Sequence, residues 1–512
     1  MKIHRLLYTI AAILPAFVSC NKFLDVKPKG KLIPTEVADF DHLLDNDGIA
    51  SWNFMDNNRG SLLPFLTDNI SLTDGLGNIA YKANNHPNID RFYAYTFRQP
   101  YKNPAVSDWM WSSYGTYGNM AYFNNVIDGI KSLQLSGPEE KEYAARVVSQ
   151  ALIDRAWSYF ITTQIYGPVY KPGGNNSTKS IPYVTSADQG APMPDLSTQG
   201  EAFAKVLADI HTALPGLPEV TSWPSRPNKA TGQALLAYYH LFTQKYDSVV
   251  YYANLAWTAA AGSGPDRVIY DYNSFSLSTP DNPLTSLIKG QDNFLTAANS
   301  REMLFFRRLD AAAGTSPYGY ASDEFIALFD SATDLRYKYF LLKAPGYKTT
   351  YNSVTYDDGA RLQYYRTASA GGNAKTWMTA GFSYPELLLM RAEGYARTNR
   401  LADAINDLNT LRKYRYKTGT PPLTVGSQDE VIKAVLDERR RELPVGSFKR
   451  LLDLKRFCLE GGKPWGKTTI QHKLGNQTFT GAIDSKDFIL TISNIVLQFN
   501  PQWGVPVDTR PF

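Results

Sequence analysis

Two cysteines in 512 residues, Cys20 and Cys458, are too few for a disulfide framework, so stability has to come from packing, which a chain of this length can supply. Histidine is equally sparse: His4, His42, His86, His211, His240 and His472 are scattered, with no pair at the i, i+4 spacing that holds zinc on a helix. Neither a nucleophile elbow of the G-x-S-x-G type nor a phosphate-binding P-loop occurs. Asp45, Asp47 and Gly48 have the look of a calcium loop, but Leu43 stands where the first ligand belongs, so these acids read as solvated. No metal and no cofactor is therefore expected. Basic blocks are missing too. The formal charge of +5 falls by two once Lys2 and Arg5 are set aside with the leader, too weak a balance to draw nucleic acid. Beyond residue 18 no apolar run is long enough to span a bilayer.

The leader itself is informative. Lys2 and Arg5 precede a mostly apolar run from Leu6 to Val18, and small Ser19 precedes Cys20. This order reads as a signal peptide over residues 1–19, with Cys20 acylated as a lipid anchor and the mature chain, 20–512, forming one domain. Phe17 stands where a lipobox usually has Leu. Cys458 is left without a partner and reads as a small buried hydrophobe.

What is abundant is helical pattern. Leu388, Ala392, Tyr395 and Ala396 fall on one face of a helix opened by Ser383 and Pro385, and small Ala392, Gly394 and Ala396 let a neighbour approach. After a break at Thr398, Asn399 and Arg400, Leu401, Ala404, Ile405, Leu408 and Leu411 repeat at i, i+3, i+4, i+7. The pair is about 34 residues long, the length of a tetratricopeptide repeat. Ser427 and Glu430 have capping-box spacing before a third helix, whose run Glu438 to Glu442 (ERRRE) would ordinarily be a solvated face. Pro138 opens a long helix that runs through RAWSYFITTQIYGPV, and Lys229 to Ala260 gives a second pair with a break at Lys245 to Asp247; Thr198 and Glu201 form a further capping box. The expected fold is all-α: a tetratricopeptide-like helix-pair array of about four pairs, over 108–261 and 383–457. Two loop-rich regions, 48–106 and 262–377, interrupt it, and short alternating runs such as FILTISNI near the end suggest strand or extended packing.

Leu389, Arg391, Ala392, Glu393, Tyr395, Ala396 and Arg397, then Asp407, Leu408, Asn409, Leu411 and Arg412, then Glu438 to Leu443 and Asp453 to Arg456 resemble the C-terminal signature of the SusD/RagB family of outer-membrane nutrient-binding lipoproteins. Phe23, Leu24, Asp25 and Pro28 resemble the family's start after the lipidated cysteine, and the stretch ending at YGPV resembles its middle. Pro444, Val445 and Gly446 depart from the pattern and read as a changed turn. The resemblance implies a surface lipoprotein of the outer membrane. It would be anchored through lipid alone, bind oligosaccharide or polysaccharide, and deliver it to a SusC-like TonB-dependent outer-membrane transporter.

Ligand capture would fall to the irregular regions, because sugar rings stack on aromatic faces while their hydroxyls pair with Asp, Asn and Arg. The candidates are Asp74, Asn78, Tyr81, Arg91, Tyr93 and Trp109 in and beside the first region, and Tyr318 and Tyr320 in the second. No catalytic constellation is present, so a non-enzyme is expected. A peptide-binding RagB-like lid is the alternative. From another class come a ligand-free helical-repeat scaffold or a glycan-cleaving enzyme, since glycosidase carboxylates are paired in space rather than in sequence.

Overall fold

The computed structural model describes residues 34–46, 48–49, 60–84, 89–106, 115–188, 190–262, 264–284, 286, 288–290, 300–307, 319–364, 379–424 and 426–512. Its frame is a set of amphipathic helices: α1 Thr116–Ser132, α2 Gly137–Tyr166, α3 Gln199–Ala213, α4 Lys229–Phe242, α5 Tyr246–Ala261, α6 Tyr384–Arg397, α7 Leu401–Arg415, α8 Gln428–Glu442 and α9 Lys449–Phe457. The boundaries follow local chemistry. Pro138 lies in the first turn of α2. Thr198 with Glu201 and Ser427 with Glu430 form reciprocal capping boxes at α3 and α8. Ser383 caps α6 by accepting from the Glu386 N–H, whereas the Glu386 carboxylate turns inward to Arg439 and Lys449. Between α6 and α7 the turn is made by Asn399 at φ 60°, a left-handed conformation that asparagine tolerates better than most residues.

Neighbours in the chain are neighbours in space: α1 on α2, α2 on α3, α4 on α5, α5 on α6, and α6 on both α7 and α8. The small-residue face of α6 works as its spacing implies. A Cβ on Gly394 would lie 2.9 Å from Val250 Cγ2 and 3.2 Å from Val249 Cγ1, both on α5. Removing a mid-helix glycine is worth about 1 kcal/mol at most, and overpacking costs about 1–3 kcal/mol. Gly394→Leu is therefore expected to lower the unfolding free energy by about 1–3 kcal/mol in urea titration, and a neutral or stabilising result would mean the α5–α6 contact is loose.

Around this frame the structure departs from the sequence expectations in three places. Residues 48–106 are far from irregular where described. They hold a 3-10 helix, Gly60–Leu66, a π-helix, Gly75–Ala83, and an α-helix, Ile89–Tyr95, and most of their side chains are buried. Second, short antiparallel strand pairs accompany the helices. β1 Ile70–Ser71 pairs with β2 Tyr320–Ala321; β3 Leu341–Pro345 encloses the hairpin of β4 Lys348–Tyr351 and β5 Val354–Asp357, and pairs with β6 Ala360–Tyr364. Third, the C-terminal hairpin is β7 Thr469–Leu474 with β8 Gln477–Ala482, upstream of FILTISNI, which itself carries no strand and ends in the short helix Asn494–Phe499.

The ERRRE run departs from the usual fate of charged helix runs and belongs to the structural core. Glu438, Arg439, Arg440 and Glu442 are all buried, so this is not a solvated face. The charges survive inside because each finds an opposite charge from another element: Glu438 takes Arg336, Arg439 takes Asp453 and Glu386, and Glu442 takes Arg336 and Arg415.

Candidate functional site

Two arginines, Arg440 of α8 and Arg450 of α9, point the other way, out of the frame and into the loops. Arg440 donates to Asn69 Oδ1 at 2.8 Å, to the Asp68 carbonyl at 3.0 Å and to Glu324 Oε1 at 2.7 Å. Arg450 makes a bidentate pair with Asp68, both bonds 2.8 Å. Burial alone would raise the Asp68 carboxyl, but Arg450, Arg440 and Lys467 together hold it well below the usual carboxylate range. Asp68 and Asn69 lead into β1, and Glu324 follows β2. The helical frame thus fixes by charge the two segments that meet in this small sheet.

Above that anchor opens a cleft of about 990 Å³. Its walls come from five parts of the chain: residues 68–73, Tyr95, residues 320–326, the start of β6, and the stretch from Lys467 through β7 to Gly475. The alternation of β7 decides what faces it. Ile470, His472 and Leu474 are buried, so Thr469, Gln471 and Lys473 stand on the exposed face. His472 pins the strand from behind, its Nδ1 2.7 Å from the Tyr95 carbonyl and its Nε2 2.8 Å from that of Thr67, with its ring stacked on Tyr95; burial pushes its imidazole below the ordinary value.

Of the residues singled out from sequence, Tyr320 lines the cleft. Its hydroxyl donates to Asp358 Oδ2 at 2.6 Å and accepts from the Tyr347 N–H at 2.7 Å, while Thr73 Oγ1 donates to the same carboxylate oxygen at 2.6 Å. Burial, and then the Asp358 carboxylate, raise the phenol. Asp74 and Asn78 sit together at the rim, Asn78 Nδ2 donating to Asp74 Oδ1 at 2.7 Å. That carboxylate lies beside Gly475, whose φ of 56° makes the tip of the β7–β8 hairpin and lets it approach. Tyr81, Arg91 and Tyr93 are buried in the neighbouring core: Tyr81 is 0% exposed, Arg91 lies over the Phe65 ring, and Tyr93 is covered by Arg98 and Phe512. Trp109, Tyr318 and Cys20 lie outside the described residues.

Sequence reading passed over Asp358, Arg361, Lys467, Gln471 and Lys473. The strand could have been found, because TIQHKL alternates and Gly475 and Asn476 give a turn before a second run. Among the described residues there is no group of three or more His, Cys, Asp or Glu side chains placed to hold a metal, and no helix long and apolar enough to cross a membrane.

Residues 22–241 match a family described as starch-binding, associating with outer membrane, and residues 340–500 match the SusD family. The SusD-like protein P2 of Formosa agariphila is 23% identical over 408 residues, covering 70% of this chain and 71% of the relative. Among solved structures, one described as a putative sugar binding protein from Bacteroides vulgatus superposes with a TM-score of 0.63 at 16% identity, over 92% of this chain and 98% of that one. A SusD superfamily protein from Bacteroides thetaiotaomicron gives 0.63 at 18% identity, over 91% and 98%. At such identities the likeness establishes a shared fold.

Proposed function

Because the chain belongs to the SusD/RagB family, we propose that it is a lipid-anchored protein of the outer membrane that captures oligosaccharide in the cleft above Asp68 and delivers it to a TonB-dependent transporter. The observation that carries this reading is the cleft itself. Its volume of about 990 Å³ lies at the upper end of the range usual for small-ligand sites, about 300–1,000 Å³. Its walls offer hydroxyl, amide and charged groups together with the aromatic side chains of Tyr95 and Tyr320. Asp68, locked in ion pairs, is unsuited to act as a general acid, which supports capture as the role of this site. Anchoring falls to Cys20, and the SusC-like transporter is the partner.

Calorimetry with neutral and acidic oligosaccharides and with peptides tests the reading. Gln471→Trp puts an indole into the cleft from an exposed strand position, so glycan affinity is expected to fall at least about tenfold with an unchanged melting temperature. Binding that survives Gln471→Trp would move the site elsewhere, and binding of peptides alone would favour the RagB-like lid.

A further inference from the structure

The charges of the cleft are unevenly satisfied. On the acidic side, Asp68 is held by Arg440, Arg450 and Lys467, and Glu324 by Arg440 and Lys467, the two Lys467 contacts being 2.5 Å each. The Asp358 carboxylate already accepts from Thr73 and Tyr320. Asp323 has no ion pair among the described residues, but it lies in the first turn of the short helix Asp323–Ile326, an end that favours negative charge. The basic side is different. Arg361 is exposed on β6, and its Nε donates to the Asp358 carbonyl at 2.9 Å, which orients the guanidinium and leaves both Nη groups without an acceptor among the described residues. Lys473 is exposed on β7 in line with Thr469 and Gln471, and its amine has no carboxylate within ion-pair distance among the described residues. Both line the cleft.

We infer that the cleft selects oligosaccharides bearing acidic groups, carboxylate or sulfate, with Arg361 and Lys473 taking the anion and Thr469 and Gln471 the neighbouring hydroxyls. This rests on the glycan-binding reading and names its substrate class. A guanidinium held by its Nε presents two parallel N–H donors, which match the two oxygens of a carboxylate or sulfate and do nothing comparable for a neutral ring. The ammonium adds a second, less directional charge. Because both cations are exposed, their contribution is screened by salt, so acidic ligands weaken on going from about 50 to 500 mM salt.

The test uses the full mature chain in calorimetry against oligogalacturonate, a sulfated dextran oligosaccharide, maltooligosaccharide and polyglutamate. At least one acidic glycan is expected to bind about tenfold or more tightly than the neutral one, and Arg361→Gln combined with Lys473→Gln to abolish that preference. Lys343→Gln, an exposed lysine of β3 that does not line the cleft, is expected to leave it intact. Response to galacturonate alone or to the sulfated dextran alone identifies the acidic group within the same inference. Equal binding of the neutral glycan, or an acidic preference unmoved by the double variant, overturns the inference and leaves glycan capture standing. A chain that binds none of the glycans, with or without polyglutamate, overturns both.

Discussion

Arg415→Ala is expected to lower the unfolding free energy by about 3–5 kcal/mol, read as a fall in the urea midpoint. The side chain is 0% exposed and spends its donors on Glu442 (3.0 Å from Nε and 3.0 Å from Nη2), Glu302 (2.7 Å) and the Tyr270 carbonyl (2.8 Å), with its guanidinium over the Tyr272 ring. A buried ion pair adds little net stability as a unit, because both charges had to leave water. Losing one member is costly, since the carboxylates left behind can neither be solvated nor moved. The contrast variant is Arg400→Ala, whose partner Asp403 is half exposed like itself; its effect should stay within about 0.5 kcal/mol. If the two variants unfold at the same urea concentration, the buried network is not what holds α7 to α8.

The second large effect is on acid stability, through Glu393. It is 0% exposed on α6 and accepts from Arg456 (2.8 and 3.2 Å) and Arg397 (2.8 Å). Burial alone would raise this carboxyl, but Arg456 and Arg397 outweigh it and hold it at about 2, against 4.5 for an unperturbed glutamate. The folded value lies below the unfolded one, so the contribution is complete above about pH 4.5 and is lost as pH falls through that value towards 2. The shift corresponds to about 3 kcal/mol. Glu393→Gln should therefore be markedly less stable than the natural chain at pH 7, and the gap should have narrowed by more than half at pH 3. A gap as wide at pH 3 as at pH 7 would sink the assignment.

Both residues join the ERRRE run through their partners: Arg415 through Glu442, and Glu393 through Arg456 and Asp453 to Arg439. By habit ERRRE is a surface run, because charges at consecutive helix positions point to several faces and most have only solvent to meet. Here Asp334, Arg336 and Glu302 arrive from outside the array, and Glu386 and Asp453 from α6 and α9, and they convert the run into an internal lattice. The aromatic and polar mixture of residues 48–106 misled in the opposite sense. Tyr81, Arg91 and Tyr93 resemble the lining of a sugar site, yet they pack inside a cluster of short helices, which mixed composition without a long 3.6-residue period conceals.

What the sequence determined alone is everything written within about thirty residues: the helix pairs, their caps at Thr198 and Ser427, the turn at Asn399, the close approach at Gly394, and the motifs that mark the family. These depend on hydrogen bonds and side-chain periods that repeat along one segment, so adjacency in the chain carries the information. The cleft was decided only by tertiary structure. Asp68 and Lys467 touch across 399 residues, and Tyr320 reaches Asp358 from another strand. Whether a charge is spent or available, as Asp68 is spent and Arg361 and Lys473 are not, depends on which partner the fold brings to it, and no spacing along the chain records that.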